Sequence, residues 1–414
     1  MKKLWRSSLI FTAANFIVGL GNLAFQAIIG HNHLTDAEYG LVNTTNTFVG
    51  FLGLPLAIAT TAVTHYIARF NFSGDDARLQ GLLAGCQKFL LHLTIGGSIL
   101  AAVLVGPLSN FFHFPRLSLM AVALLCALAG LWGGFATALC QGMAWFKRLA
   151  LISLLAMVLR LAWGGLTVWK FPTAEFAVLA TGVALLSNLV LLFWRKDLSR
   201  HAKPVSPWNR EFVQFLIVAA ACTGGGFCFM QGDWLIAQKY FSAGDKVAFT
   251  AAGVFARALP QTVAPLLTVL FTHRSGGQTS DSLRQQFKLL GLYSVGLAAG
   301  AIGLLAVGGI CLKVIGKDSP EAIAMIGPYA WTMVFAGLIQ AIGMWALASR
   351  WVKISLLYGG LGLAYWLVLL AWGRTPDAML RIMPVAAGLT FVVLFVVWWI
   401  AMRVAHPPAK GNAN

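Results

Sequence analysis

From Ser8 to Met402 the chain is an almost unbroken succession of apolar stretches. Each is about 20 residues long, the length a helix needs to cross the roughly 30 Å hydrocarbon core of a bilayer. Of the 414 residues, 59% are hydrophobic and 10% charged. Such a chain cannot hide its apolar surface by folding in water, so the bilayer is its solvent. Twelve helices are expected, at 8–29, 41–66, 84–105, 119–144, 149–169, 176–194, 212–237, 248–272, 289–311, 323–347, 354–372 and 382–402. The start "MKKLWR" leads into about 22 apolar residues rather than a short apolar run with a small-residue cleavage site, so the first helix is read as retained.

Charge orients the chain. Twenty of the 30 basic residues fall in segments on the same side as the N-terminus and eight on the other, while Arg160 and Arg257 lie inside spans. Excess Lys and Arg mark the cytoplasmic side, which places both termini there. The net charge of +17 is spread over short loops as membrane insertion requires, and no nucleic-acid partner is expected. Every loop is shorter than about 20 residues, which leaves no room for a soluble catalytic domain. No phosphate-binding glycine loop, H-E-x-x-H or G-x-S-x-G motif is present. Asp75 and Asp76 read as a solvated turn. The six cysteines lack metal-ligand spacing and read as small core residues. No metal and no cofactor are expected.

The longest polar interval, "RKDLSRHAKPVSPWNRE" at 195–211, sits near the middle of the chain. It divides the protein into an N-terminal six-helix bundle, 1–194, and a C-terminal one, 212–414, joined by a cytoplasmic linker. Shifting the sequence by 210 residues places Tyr39 opposite Phe249 and Pro55 opposite Pro265. An even number of helices per half implies a parallel repeat about a pseudo-two-fold axis along the membrane normal. Pro55, Pro260 and Pro265 are candidate hinges, or simple kinks whose freed carbonyls find other partners. The glycines at 224–226 fit close helix packing first and hinge motion second.

Ionisable groups at membrane depth cost about 2.5–3.5 kcal/mol on insertion scales and mark functional sites. Arg257 and Arg160 lie near mid-depth, too far from either interface to snorkel easily. Asp233 lies about five residues, or roughly 8 Å, from the outer end of its helix. Three roles are open to it: an ion pair with Arg257, a Na⁺ or H⁺ coupling site, or a substrate contact. Asn15, Asn22 and Gln26 share one helix face at i, i+7 and i+11, and Thr250, Arg257 and Gln261 repeat that arrangement in helix 8. Helix 2 adds Asn43 and Asn46, and lower down Thr64 and His65. If these faces converge, helices 1, 2, 7 and 8 line a polar cavity, with interhelical hydrogen bonding as the simpler explanation for any one residue. Two cavity arginines and one carboxylate favour an anionic ligand such as a pyrophosphate.

Two segments resemble a known family. "GHNHLTDAEYGLVNTTNTFVGFLGLPLAIATTAVTHYIARF" is similar to the first two helices of polysaccharide and O-antigen flippases, the Wzx-like branch of the MOP exporter superfamily. "GDWLIAQKYFSAGDKVAFTAAGVFARALP" is similar to that family's helix 7 to helix 8 segment, with Ala256, Arg257, Ala258 and Leu259 at its A-x-R-L-like end and Ala248 where glycine is common. The resemblance implies two bundles in a V shape in a bacterial inner membrane. It also implies alternating-access flipping of an undecaprenyl-pyrophosphate-linked oligosaccharide to the periplasmic leaflet, with a polysaccharide polymerase or glycosyltransferases as possible partners. A cation-coupled multidrug exporter and a lipid II flippase of the same superfamily are the alternatives. An integral-membrane glycosyltransferase or ligase would have to work around His31, His33, Asp36 and Glu38. A structural scaffold would not need mid-membrane arginines.

Overall fold

The computed structural model describes residues 2–31, 34–111, 116–190, 210–275 and 282–405. Thirteen helices follow one another among the described residues. The first seven are α1 (Lys2–His31), α2 (Asp36–Leu52), α3 (Leu54–Ser73), α4 (Asp76–Phe111), α5 (Leu117–Gly142), α6 (Phe146–Lys170) and α7 (Ala174–Ser187). After the middle of the chain come α8 (Arg210–Tyr240), α9 (Ala243–Ser275), α10 (Ser282–Val314), α11 (Pro320–Ala348), α12 (Val352–Trp372) and α13 (Pro376–Ala405). No strand occurs among the described residues. Among the described residues ten helices are long and apolar enough to cross a membrane, or eleven with α2 and α3 taken as one bent span, and α7 is a shorter apolar helix.

The expected second span, 41–66, is thus two helices meeting at 49°. Pro55 stands in the first turn of α3, and Gly53 is at once the cap of α2 and of α3. Proline has no N–H to give the preceding turn, so the ladder breaks there and the chain bends. Pro260 and Pro265 instead lie inside the single helix α9. The matched hinges of the sequence reading therefore differ: one marks a break, and the other two are carried within a helix. The expected linker at 195–211 lies outside the described residues except for Arg210 and Glu211, which already belong to the first turn of α8.

Counting α2 with α3, the described residues before and after 191–209 each supply six successive elements, and the same partners recur in both. In the N-terminal half α1 packs on α6, α3 on α5 and α5 on α7. In the C-terminal half α8 packs on α12, α9 on α11 and α11 on α13. Between halves α1 meets α9 and α8 meets α3, the first element of each half on the second of the other. Such reciprocity is what a two-fold relation produces. Backbone meets backbone between α8 and α12, where a Cβ on Gly362 would lie 2.5 Å from the Cα of Gly225. That is the packing role expected of the glycine run, because only a missing side chain lets two backbones come so near.

Candidate functional site

Two polar chambers flank α9. The first has a volume of about 350 Å³ and is bounded by α1, α5, α6, α9 and the end of α7. Asn22, Asn15, Gln141, Asn188 and Gln261 bring amides to its wall, and Arg160 brings its one charge. The second, about 400 Å³, lies between α2–α3 and the C-terminal half, with Gln231, Gln340, Thr61 and Thr223 on its wall. Gln261 and Ala264 line both, so α9 is their shared partition. Neither lining contains Asp or Glu.

Arg160 reaches the first chamber because α6 packs on α1. Its Nη1 donates to Asn22 Oδ1 at 2.8 Å, and the guanidinium lies 4.3 Å from the centre of the Phe25 ring. Nε is buried and has no partner. A guanidinium stacked on one face and hydrogen-bonded at one edge is held in orientation while retaining donors for a ligand.

Asp233 and Arg257 lie elsewhere. They form an ion pair among α8, α9 and α11, with side chains 1% and 8% exposed. Nη2 of Arg257 donates to both carboxylate oxygens, and its Nε donates to the carbonyl of Met230 at 2.7 Å. The Tyr329 hydroxyl donates to Asp233 Oδ2, and the guanidinium sits 4.1 Å from the Trp234 ring centre. A buried charge pair is held more firmly when its other donors and acceptors are satisfied, and these contacts engage both Asp233 oxygens and the Nε and Nη2 of Arg257. Arg257 lines neither chamber. The sequence placed it in the cavity because it shares a helix face with Gln261, yet the rotation of α9 turns it towards α8 and α11.

The remaining sequence candidates are dispersed. Asn43 is buried and donates to the carbonyl of Tyr39 on its own helix, and Asn46 accepts from Thr181 of α7. Gln26 has a buried Oε1 without a partner and lines neither chamber. Pro265 lines the first chamber and Pro260 the second, while Pro55 faces a groove on the lipid side. Of the acidic and histidine groups around the junction of α1 and α2, Glu38, in the first turn of α2, is tied to Arg116 at 2.7 Å and to the N–H of Ala174, a structural role. His33 lies outside the described residues. No cluster of His, Cys, Asp or Glu that could hold a metal occurs among the described residues.

A second cluster, which the sequence reading did not assemble, joins α3 to the start of α8 and the turn between α11 and α12. Glu211 accepts from Arg69 of α3 at 2.7 Å and from Arg350 at 2.5 Å. Nε of Arg350 also donates to His65 Nε2 at 3.1 Å, and His65 Nδ1 lies 2.9 Å from the hydroxyl of Ser275. The His65 ring stacks on Phe215 at 4.2 Å. Arg350 has a left-handed backbone, φ 57°, at the turn between α11 and α12. The available signal was Glu211 itself, an acidic residue beside an apolar run on the strongly basic face.

No family model and no curated protein matches the sequence. Solved structures do match along nearly the whole chain. An outward-facing multidrug resistance MATE family transporter of the MOP superfamily aligns with a TM-score of 0.73 and 12% identity, over 96% of each chain. A MOP superfamily transporter from Pyrococcus furiosus, whose binding pocket has reversed polarity, gives 0.70 and 12%, again over 96% of each chain. The eukaryotic MATE transporter AtDTX14 gives 0.64 and 15%, over 97% of this chain and 95% of its own. The protein is an all-helical, multi-pass membrane protein with the fold of the MATE and MOP superfamily transporters.

Proposed function

We propose that the protein is a flippase that moves an undecaprenyl-pyrophosphate-linked oligosaccharide from the cytoplasmic to the periplasmic leaflet of a bacterial inner membrane by alternating access. The observation that carries this reading is the first chamber, whose wall combines one arginine, several amides and no carboxylate. An oriented guanidinium with a buried, unpartnered N–H suits phosphate oxygens. Amides suit sugar hydroxyls, which both donate and accept. The fold neighbour from Pyrococcus furiosus is described as having a reversed pocket polarity that suggests a different function. Pocket charge is therefore the feature on which ligand class is argued within this fold.

In this cycle Asp233 and Arg257 act as a switch rather than as substrate ligands. A proton or Na⁺ engaging Asp233 would release Arg257, and the two states would differ in that partner. The cycle uses no cofactor. A polymerase or glycosyltransferases that act on the same lipid-linked glycan are the natural partners. The alternative, a cation-coupled drug exporter, is favoured by the multidrug resistance function named for one fold neighbour. Organic cations would call for acidic groups in the chambers, which the described linings do not supply.

The test is binding of an undecaprenyl-pyrophosphate-linked glycan, with a cationic dye as comparator, to purified protein and to Arg160→Ala. Glycolipid binding that weakens in the variant supports the flippase. Dye binding without glycolipid binding moves the assignment to a drug exporter.

A further inference from the structure

A groove of about 590 Å³ runs along the lipid side of the N-terminal half, and nearly all of its wall is apolar. It is framed by α3, α4, α5 and the start of α8. Its existence follows from the way α4 stands away from the bundle. Only 6% of the apolar stretch of α4 is buried, against 39% for α5 and 61% for α11. On α4 the lining extends from Cys86 to Leu108, about 33 Å at 1.5 Å per residue. That matches the whole roughly 30 Å hydrocarbon core, whereas an acyl chain of one leaflet reaches about half of it. A single chain able to fill the groove from end to end must be longer than a phospholipid tail.

The cytoplasmic end of the groove carries charge. Phe212 and Leu216 line it there, directly after Glu211. Arg69 and Arg350 converge on that one carboxylate with side chains still 44% and 37% exposed. Lys88, next to the lining residue Phe89, is exposed on α4. None of these charges lines the groove itself, but two arginines and a lysine against one glutamate leave net positive charge beside its end, complementary to a phosphorylated headgroup at the membrane surface. The groove is also one helix away from the polar chambers. Pro55, Ala59 and Val63 of α3 face it, while Leu54, Ala57 and Thr61 face the second chamber.

We propose that this groove holds the polyprenyl chain of the transported lipid, with its phosphates at the Arg69, Arg350 and Lys88 mouth before the headgroup passes the seam between α3 and α8. The inference rests on the flippase reading and adds a site to it. The tail stays in an apolar track for the length of the bilayer while only the headgroup crosses through the chambers, so the chain is never drawn through a polar interior.

The test uses the full-length protein in detergent, undecaprenyl phosphate as probe and dioleoyl phosphatidylglycerol as a two-tailed anionic comparator, with binding read by native mass spectrometry. Leu100→Trp and Ala101→Trp fill the groove at mid-depth. Each is expected to weaken undecaprenyl phosphate binding at least tenfold and to leave phosphatidylglycerol binding unchanged. Leu100→Cys, at a position 56% exposed, gives a reading that does not depend on tolerance of a bulky side chain. Saturating undecaprenyl phosphate should slow its maleimide labelling at least threefold, and phosphatidylglycerol should not. Equal binding by wild type and both Trp variants, or equal protection by both lipids, overturns the groove assignment and leaves the flippase standing. No binding of undecaprenyl phosphate to the wild type overturns both.

Discussion

Asp233 receives two hydrogen bonds from a single nitrogen of Arg257, at 2.6 and 2.7 Å, across the interface of α8 and α9. The pair is almost fully shielded, and Tyr329 supplies a third donor to the carboxylate. Each charge is therefore tolerable only in the presence of the other.

Removing one member should cost more than removing both. Asp233→Asn or Arg257→Met leaves an uncompensated charge or an unfilled donor set, with an expected loss of about 3–5 kcal/mol. The double variant Asp233→Leu with Arg257→Met should recover most of it. Thermal unfolding in detergent, followed by tryptophan fluorescence, distinguishes the cases; equal losses in single and double variants would show that the pair is not coupled.

Arg160 sets the charge of the first chamber. Arg160→Ala should weaken a lipid-linked pyrophosphate by about 1.5–3 kcal/mol, the range of a hydrogen bond to a charged group. Arg160→Lys should recover only part of this, because an ammonium cannot reproduce both the stacking on Phe25 and the fixed fork of donors. Titration of the glycolipid against all three proteins measures the order. A fully active lysine variant would mean that charge alone matters.

Glu211 ties α3 to the turn after α11. Its two ion pairs are partly exposed, and exposed pairs contribute about 0.2–1 kcal/mol each. Glu211→Gln should shift the equilibrium between forms closed and open at this end of the bundle several-fold towards the open one, with little change in overall stability. Spin labels at positions 147 and 353 report the distance across that face. An unchanged distance distribution would remove the latch role.

At the α8–α12 crossing a side chain has nowhere to go. Gly362→Val would press on the backbone of Gly225, which cannot rotate away as a side chain could. Overpacking of this kind costs about 1–3 kcal/mol, and more when the backbone must move. The variant should lose its monodisperse profile on size-exclusion chromatography, while Gly360→Val, where the added atoms meet open space, should behave as wild type.

Much of the architecture was legible beforehand. The helical class and the multi-pass membrane character follow from local periodicity, and of the polar face of α1 Asn15 and Asn22 do share a chamber wall while Gln26 does not. Other features were beyond that reading. The break at Gly53 depends on which of several prolines coincides with a helix start, and Pro260 and Pro265 show that the residue type is not decisive. Asn43 and Asn46 looked like cavity residues because polar groups in apolar helices often are, yet one bonds its own helix and the other bonds α7.

Membrane helices are written almost entirely in local chemistry, since every span must satisfy its own backbone hydrogen bonds and match the bilayer on its own. That is why hydropathy located most of the spans, though not the break between α2 and α3 or the shortness of α7. Which charges meet is not local. Asn22 and Arg160 lie 138 residues apart, and His65 and Arg350 lie 285 apart. Their contacts depend on how far each helix is rotated about its own axis when it packs. A turn of 100° per residue carries a side chain from a cavity to a buried interface within one or two positions. Only the assembled bundle decided that Arg160 faces a chamber while Arg257 is sealed against Asp233.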